Sequence, residues 1–379
     1  MFHRKTLPIK MKVGVFTFNY SANYGAILQC LSLYRTLRNL GAEADVIRYV
    51  PEGFRNYPPV WRGWGIKRGE FLMNIPQKWI AARHGPGMER AFDVFREKHL
   101  TFSDPCTTPD EIAAVAEGYD ALITGSDQVW HFAQKPAFFL EWGKPYTGKR
   151  ISYAPCCGHI EQPQERIGQI KEWVSRFDHI SVRNDFTKEI IERLIGMPVP
   201  VVADPVLLTD VSDLQQKVDL PCSDYILMYT LGKEILGGHE NVIRAIRHKV
   251  GIMPVVAVIP SAHKPHVAPW ADIKIWEAGP AEWLYLIANA KFVYTDSFHG
   301  VLYALKFNRP FLAYYTEAGR APRLIDLACR YKIGTSVVGS TREAAENIGS
   351  YKLDNMIVHE KLVAHRQFSL DYLKKSLSL

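Results

Sequence analysis

The chain has 379 residues, of which 47% are hydrophobic and 22% are charged, the balance of a folded globular protein. This length exceeds one ordinary core and predicts two domains. The formal net charge of +7 is scattered along the sequence, without the concentrated basic face of a nucleic-acid-binding protein, so we expect no nucleic-acid partner. A positive surplus suits small anionic ligands or an anionic membrane surface.

The sequence carries no signal for a membrane or secreted protein. No window approaches the roughly 18 unbroken apolar residues of a membrane span. The first ten residues contain Arg4 and Lys5 but no apolar stretch of the kind that secretory signals have. The six cysteines show no C-x-x-C spacing, as expected for buried, reduced thiols. We therefore expect a cytoplasmic protein.

Alternating strand and helix patterns predict a first Rossmann-like domain over residues 1–209. A strand pattern at 12–18, a helical stripe at 27–40 and a second strand pattern at 44–49 imply parallel strands joined by a crossover helix. A variable insertion around 51–105 reads as loops and then a helix near 92–100. Further strand patterns follow at 121–124, 150–154, 179–182 and 199–202.

The polar stretch 210–223 is the predicted linker to a second Rossmann-like domain over 224–353. Strand patterns in that domain cover 225–230, 253–259, 291–295 and 311–314, with helices near 239–250 and 280–289. The amphipathic segment 354–379 has no partner strand, so we expect a C-terminal helix that packs back on the first domain. Facing domains of this kind hold ligands between the carboxyl ends of their sheets.

The turn Thr-Asp-Ser-Phe-His-Gly at 295–300 is the strongest candidate site, because it joins a strand to a helix. Asp296 or Ser297 can cap that helix, and Gly300 allows a backbone or ligand to come close. His299 would lie at the positive helix end, where anions bind. The alternative is a core histidine paired with a backbone carbonyl.

Two further strand ends carry polar groups. Arg183 offers a bidentate fork for carboxylate or phosphate, or else forms a salt bridge with Asp185 or Asp204. Asp127 follows a tight turn and could serve as a base, unless Asp127 or Ser126 instead caps a helix. Both groups therefore have a functional and a structural interpretation.

Motifs of several enzyme classes are missing from the sequence. It contains no G-x-x-x-x-G-K-[ST], G-x-G-x-x-G, H-E-x-x-H or G-x-S-x-G. Nucleotide hydrolysis, dinucleotide-dependent dehydrogenation, zincin proteolysis and α/β-hydrolase chemistry therefore lose support. His263 and His266 share one loop without a third ligand nearby, so we expect no metal site.

Seven short segments, taken together and in order, resemble the polysaccharide pyruvyl transferase family. They are NYGAILQ at 23–29, GSDQVW at 125–130, SYA at 152–154, SVR at 181–183, ADPVLL at 203–208, GPAEWL at 279–284 and TDSFHG at 295–300. The resemblance implies two facing Rossmann-like domains, as in the B-type glycosyltransferases. It also implies transfer of the pyruvyl group of phosphoenolpyruvate to two hydroxyls of one sugar, which gives a cyclic ketal and phosphate.

Under that resemblance phosphoenolpyruvate is a co-substrate, and we expect no cofactor. The acceptor is a sugar of a surface polysaccharide or of its precursor. A precursor linked to polyprenyl diphosphate would bring peripheral contact with the inner face of the membrane. The oligomeric state stays open.

The resemblance places Arg183 and the Ser-Phe-His at 297–299 at the donor. We predict His299, Arg183 and Asp127 as catalytic residues, with His299 assisting the phosphate or acting as acid and Asp127 or a neighbour acting as base. The other predicted donor-binding residues are Ser297, Phe298, Gly300, Asp296, Gly232 and Lys233. The predicted acceptor-side residues are Asn19, Tyr20, Asn23, Tyr24, Gly25 and Ser126.

The chain departs from the family pattern at two places. Family members often have Glu where this chain has Asn184, and their small and aromatic residues after Tyr-Ala are replaced by Pro-Cys-Cys at 155–157. In addition, Trp61, Trp64 and Trp79 lie in the variable insertion, where they could stack on a sugar face or a lipid, or pack a small core. We therefore expect an acceptor side that differs from that of other family members.

Two other functions stay open at this point. A nucleotide-sugar-dependent glycosyltransferase of the same fold would need a carboxylate for ribose hydroxyls near residues 277–282, which Glu277 or Glu282 could supply. A non-catalytic member of a polysaccharide assembly complex would have either a blocked cleft or a His299 that is buried away from the cleft. The small, doubly anionic donor fits Arg183 better than a nucleotide sugar does.

Overall fold

The computed structural model describes residues 10–52, 75–158, 162–232, 234–263, 265–316, 321–348 and 356–379. These residues form two parallel β-sheets with helices packed against them. The predicted α/β class with two Rossmann-like sheets is therefore confirmed. The predicted domain boundaries at 209, 223 and 353 stay predictions.

The first sheet has five strands in the order β3-β2-β1-β4-β5, and neighbouring strands are parallel. Its strands are β1 (Lys12–Phe16), β2 (Glu43–Tyr49), β3 (Phe102–Cys106), β4 (Ala121–Thr124) and β5 (Lys149–Ser152). Its helices are α1 (Tyr24–Asn39), α2 (Ile75–His99), α3 (Pro109–Ala116), α4 (Ile167–Val174) and α5 (Asp185–Ile195). The central strands are apolar runs because both faces of a parallel sheet are covered.

The second sheet has six parallel strands in the order β11-β10-β9-β6-β7-β8. Its strands are β6 (Ile226–Tyr229), β7 (Val255–Val258), β8 (Ile273–Ile275), β9 (Phe292–Thr295), β10 (Phe311–Tyr314) and β11 (Val337–Val338). Its helices are α6 (His239–Val250), α7 (Pro280–Asn289), α8 (Phe298–Lys306), α9 (Ala321–Tyr331) and α10 (Thr341–Asn347), followed by α11 (Met356–Leu377).

Several elements differ from the sequence-based expectation. The expected strands at 179–182 and 199–202 are present only as isolated parallel bridges, Ile151 to His179 and Val182 to Val201. Strand β3 was not expected because it reads Phe-Ser-Asp-Pro-Cys, but a proline is tolerated on the edge strand that β3 forms. Helix α2 begins much earlier than expected and continues through Pro86.

Helix α11 packs back on the first domain, as predicted. Ser369 Oγ accepts a hydrogen bond from the Ala203 amide at 2.8 Å, and the Tyr372 hydroxyl donates to the Ser152 carbonyl at 3.0 Å. These bonds satisfy backbone groups at the first domain's sheet edge. None of the helices within the described ranges is long and apolar enough to cross a bilayer.

The two domains share a buried interface. Tyr24 at the start of α1 stacks on Trp283 of α7, with ring centroids 5.1 Å apart and planes at 8°. The Tyr24 hydroxyl also donates to the carbonyl of Ala278 at 2.7 Å. One buried apolar cluster continues through both domains at this interface. This packing brings the N-terminus of α1 against the second domain.

Candidate active site

The turn at 295–300 is held by side-chain hydrogen bonds of Thr295, Asp296 and Ser297. Ser297 Oγ accepts from the Gly300 amide at 3.2 Å, so Ser297 is the helix cap of α8. Asp296 Oδ1 instead accepts from the Leu231 amide at 2.6 Å and ties the end of β6 to the turn. The turn therefore presents the N-terminus of α8 in a fixed orientation.

His299 lies in the first turn of α8 and packs against Gly25 of α1. A Cβ atom at Gly25 would lie 2.1 Å from His299 Nδ1, so only glycine fits this contact. Asn23 caps α1 by accepting from the Ala26 amide at 3.2 Å. The N-termini of two helices, one from each domain, therefore meet at His299, and both carry a partial positive charge.

Asp204 is the carboxylate at the centre of this interface. Its Oδ2 accepts from Arg183 Nη1 at 2.9 Å and from Ser126 Oγ at 3.2 Å. His299 Nε2 faces the same oxygen at 3.5 Å, which is too long for a normal hydrogen bond. Asp204 therefore joins the arginine of the first domain and the histidine of the second.

The ionisation of this cluster is set by its charges as well as by its burial. Burial by itself would raise the pKa of Asp204, but His299 and Arg183 hold that pKa well below its ordinary value. Burial would likewise lower the pKa of Arg183, but Cys156, Asp204 and Asp127 raise it above its ordinary value. Both Asp204 and Arg183 consequently keep their charges inside the protein.

Asp127 is the more accessible carboxylate of the site, with its side chain 15% exposed. Its Oδ1 accepts from the Gln128 amide at 2.8 Å and lies 3.5 Å from Arg183 Nη2. The helix-cap interpretation of Asp127 thus holds for the short 3₁₀ turn Gln128–Trp130. The same carboxylate also borders the arginine.

Two donors of the site are buried without a hydrogen-bond partner among the described residues, Arg183 Nε and His299 Nε2. The guanidinium carbon of Arg183 lies 4.5 Å from the centroid of the Phe298 ring, which fixes the orientation of the fork. Buried donors normally have acceptors. Arg183 Nε and His299 Nε2 are therefore donors at the domain interface that no described residue accepts from.

The predicted acceptor-side residues have different surroundings. Gly25 and Ser126 contact the cluster of His299 and Asp204, as described. Asn19 and Tyr24 are buried, and Asn19 Nδ2 donates to the carbonyls of Thr17 and Ile47. Burial raises the pKa of Tyr20, which keeps its hydroxyl protonated. Roles of these residues toward an acceptor stay predictions.

Other predicted positions are less informative. Gly232 is exposed just after β6, and Lys233 lies outside the described residues. His263, considered above only as a metal ligand, instead places Nε2 3.4 Å from Asn23 Nδ2 at the N-terminus of α1. No group of three or more metal-binding side chains occurs in the described part of the chain.

Sequence reasoning missed the central role of Asp204, which it considered only as a salt-bridge partner of Arg183. The signal was present, because Asp204 follows the strand pattern at 199–202 and starts a Pro-containing turn.

The two departures from the family pattern also contact each other. Asn184 Nδ2 donates to Cys156 Sγ at 3.4 Å, while its Oδ1 caps α5.

The fold and the site together define a two-domain α/β protein with a buried arginine–aspartate–histidine cluster between its domains. The chain belongs to the polysaccharide pyruvyl transferase family, since the model of that family matches residues 23–317. The matched range includes every residue of the cluster. No curated protein matches the chain.

Solved structures similar to this chain include nucleotide-sugar proteins. Arabidopsis thaliana UGT89C1 complexed with UDP-L-rhamnose is 14% identical with a TM-score of 0.49, covering 98% of this chain and 99% of that one. Methanocaldococcus jannaschii UDP-GlcNAc 2-epimerase in complex with UDP-GlcNAc and UDP is 13% identical with a TM-score of 0.46, covering 95% and 100%. Likeness at this level does not bear on the ligand of this chain.

Proposed function

We propose that this protein transfers the pyruvyl group of phosphoenolpyruvate to two hydroxyls of one sugar, forming a cyclic ketal and releasing phosphate. The observation that supports this most is the convergence of Arg183 and His299 on Asp204 Oδ2, at 2.9 Å and 3.5 Å. Phosphoenolpyruvate carries a carboxylate and a phosphate close together, so it needs several fixed cationic or N–H donors. Arginine, histidine and two helix N-termini form such a set.

The reaction redistributes the protons of the two sugar hydroxyls. The methylene carbon of phosphoenolpyruvate takes up one proton, and the first hydroxyl oxygen bonds to the central carbon as it loses its own. The carbon–oxygen bond to phosphate then breaks. The second hydroxyl oxygen then bonds to the same carbon and closes the ketal ring, and its proton passes to the released phosphate. The protein must therefore supply one acid, one base and a stable site for the phosphate.

Within this proposal the two carboxylates have different tasks. Asp204 is almost fully buried and holds a strongly depressed pKa, so it remains an anion that orients Arg183 and His299. Asp127 is more accessible and borders Arg183, which suits a base that takes the hydroxyl proton. In this scheme His299, beside the N-terminus of α1, is the acid that delivers a proton to the methylene carbon, and Asp127 later returns the hydroxyl proton to it.

The same sheet edge is less suited to a nucleotide diphosphate. At the N-terminus of α6, Glu234 Oε1 accepts from the His239 amide at 2.6 Å, so a carboxylate already occupies that anion-binding position. The Asp296 carboxylate accepts a hydrogen bond from the Leu231 amide in the same way. Two carboxylates at the end of β6 would repel a diphosphate there. This favours the small donor over the nucleotide sugar of the alternative glycosyltransferase.

The acceptor under this proposal is a sugar of a surface polysaccharide or of its polyprenyl-diphosphate-linked precursor. A lipid-linked precursor would place the reaction in the cytoplasm at the inner face of the membrane, with only peripheral contact. Neither a cofactor nor a metal takes part in the steps proposed for these residues. The oligomeric state does not enter the scheme.

The test combines binding and turnover. Thermal shift is measured with phosphoenolpyruvate, with 2-phosphoglycerate as an anionic control that lacks the enol, and with uridine- and guanosine-diphosphate sugars. Phosphate release is then followed with phosphoenolpyruvate and a panel of nitrophenyl and polyprenyl-diphosphate-linked sugars. We expect stabilisation by phosphoenolpyruvate and acceptor-dependent phosphate release. The proposal would be rejected if only a nucleotide sugar stabilised the protein and phosphoenolpyruvate released no phosphate with any acceptor. Binding of neither would favour the non-catalytic alternative.

A further inference from the structure

A second group of side chains, separate from the buried cluster, spans the two domains. We call Trp79, His84, Trp276 and Glu277 the outer aromatic cluster. His84 stacks on Trp276 with ring centroids 5.1 Å apart and planes at 13°, and Trp79 meets His84 edge-on at 6.1 Å. His84 Nδ1 lies 2.7 Å from Glu277 Oε1. Trp79 remains 61% exposed, an unusual position for so large an aromatic side chain.

The backbone fixes this cluster from both sides. Trp79 and His84 belong to α2 of the first domain, whereas Trp276 and Glu277 directly follow β8 of the second. A Cβ atom at Gly87 would lie 2.0 Å from Glu277 Oε2. The backbone of α2 can therefore approach this carboxylate closely because residue 87 is a glycine. The carboxylate of Glu277 is thus held between His84 and Gly87, although its side chain is still 44% exposed.

The outer aromatic cluster lies on the same sheet edge as His299. The strand order β9-β6-β7-β8 puts β8 three strands from β9. Neighbouring strands lie about 4.8 Å apart, so the carboxyl ends of β8 and β9 are separated by about 14 Å. Parallel strands end at one edge, so Glu277 after β8 and His299 after β9 face the same side of the sheet. That distance exceeds the width of one sugar ring.

We infer that the outer aromatic cluster binds a neutral sugar unit of an extended acceptor, at least one unit away from the sugar that receives the pyruvyl group. This inference rests on the proposed function. A sugar ring has an apolar C–H face that matches an exposed indole, and hydroxyl groups at its edge that donate to a carboxylate. Trp79 and Glu277 offer these two partners, and both of them contact His84.

A protein partner fits this surface less well than a sugar does. Cores of protein interfaces are depleted of glutamate, and here Glu277 and His84 lie in the middle of the aromatic group. The partly exposed carboxylate of Glu277 also disfavours an anionic ligand. The enzyme would therefore prefer an oligosaccharide acceptor over a single sugar.

The test measures how affinity depends on acceptor length. Binding of glucose, mannose and galactose is compared with that of their linear tetrasaccharides, by ligand-observed nuclear magnetic resonance on the full chain. We expect at least one tetrasaccharide to bind tighter than its monosaccharide, and Trp79→Ala to weaken that tetrasaccharide about tenfold. Glu277→Gln, which keeps the side-chain shape, should also weaken it. Val94→Ala on the exposed part of α2 is the matched control and should bind like the natural chain.

Three results would overturn the inference. The first is equal affinity for monosaccharides and tetrasaccharides throughout the set. The second is an equal loss of tetrasaccharide affinity in Trp79→Ala and Val94→Ala. The third is a change of sedimentation coefficient in Trp79→Ala, which would make this surface an interface between copies of the chain. Failure of the proposed function is read separately, from phosphate release. A protein that binds tetrasaccharides through Trp79 but never consumes phosphoenolpyruvate would keep this subsite and lose the pyruvyl assignment.

Discussion

Arg183 and Asp204 form a buried ion pair, with Nη1 2.9 Å from Oδ2 and side chains only 2% and 1% exposed. Such a pair gains little stability over apolar residues, because both charges must leave water. Removal of one partner, however, leaves the other buried and uncompensated. The pair is therefore best explained by what it positions, namely the arginine fork beside His299.

The first prediction concerns the stability of this pair. Asp204→Asn should lower the free energy of unfolding by about 3–5 kcal/mol, because Arg183 would then be buried without its main counter-charge. The control is Asp213→Asn, which breaks a bidentate pair with Arg35 at a carboxylate that is 62% exposed. That change should cost about 1 kcal/mol or less. Urea denaturation measures both, and equal losses would contradict the prediction.

The second prediction concerns pH. The folded pKa of Asp204 is depressed below its ordinary value of 3.8, so its charge contributes stability above that pH and loses it as pH falls through the folded pKa. The stability difference between the natural chain and Asp204→Asn should stay constant from about pH 7 to 5 and shrink below about pH 4. Urea denaturation over this range checks the sign. A difference that grows on acidification would refute it.

The third prediction concerns the contact between α1 and His299. Gly25→Ala should displace the imidazole, because its new Cβ atom would lie 2.1 Å from His299 Nδ1. We expect kcat/KM for phosphoenolpyruvate to fall about a hundredfold, the size of effect that a misplaced catalytic group produces. Gly168→Ala in α4 is the control, since no atom lies within 4 Å of its added Cβ. Similar kinetics in both variants would show that the contact is unimportant.

The fourth prediction separates charge from geometry at Arg183. Arg183→Lys keeps the positive charge but loses the planar fork and the contact with Phe298. We expect the KM for phosphoenolpyruvate to rise about ten- to a hundredfold, the cost of one charge-assisted hydrogen bond. Arg35→Lys, at the exposed pair with Asp213, should leave the KM unchanged. An unaltered KM in Arg183→Lys would remove the arginine from the donor site.

The local parts of the fold were predictable because their signals lie within a few residues. The apolar stripe of α1 and the Ser-Phe-His-Gly turn of α8 both encode their structure in local spacing and side-chain hydrogen bonds. Edge elements were harder. Strand β3 contains Ser, Asp and Pro, and its conformation depends on pairing with β2 rather than on its own composition.

Tertiary packing decided how the candidate residues come together. Gly25 and His299 are far apart in the sequence, and they become neighbours because Tyr24 stacks on Trp283 across the domain interface. Tertiary contacts also decided which residue caps helix α8. Ser297, not Asp296, caps α8, because the Leu231 amide at the end of β6 engages the Asp296 carboxylate.

The sequence by itself determined the α/β class, the order of most strands and helices, and the strand-end positions of Asp127 and His299. Only the tertiary structure placed Asp204 between the arginine of one domain and the histidine of the other. The physical reason is that helical periodicity and capping act over a few neighbouring residues. A buried carboxylate, by contrast, acquires its partners only when two separately encoded domains pack face to face.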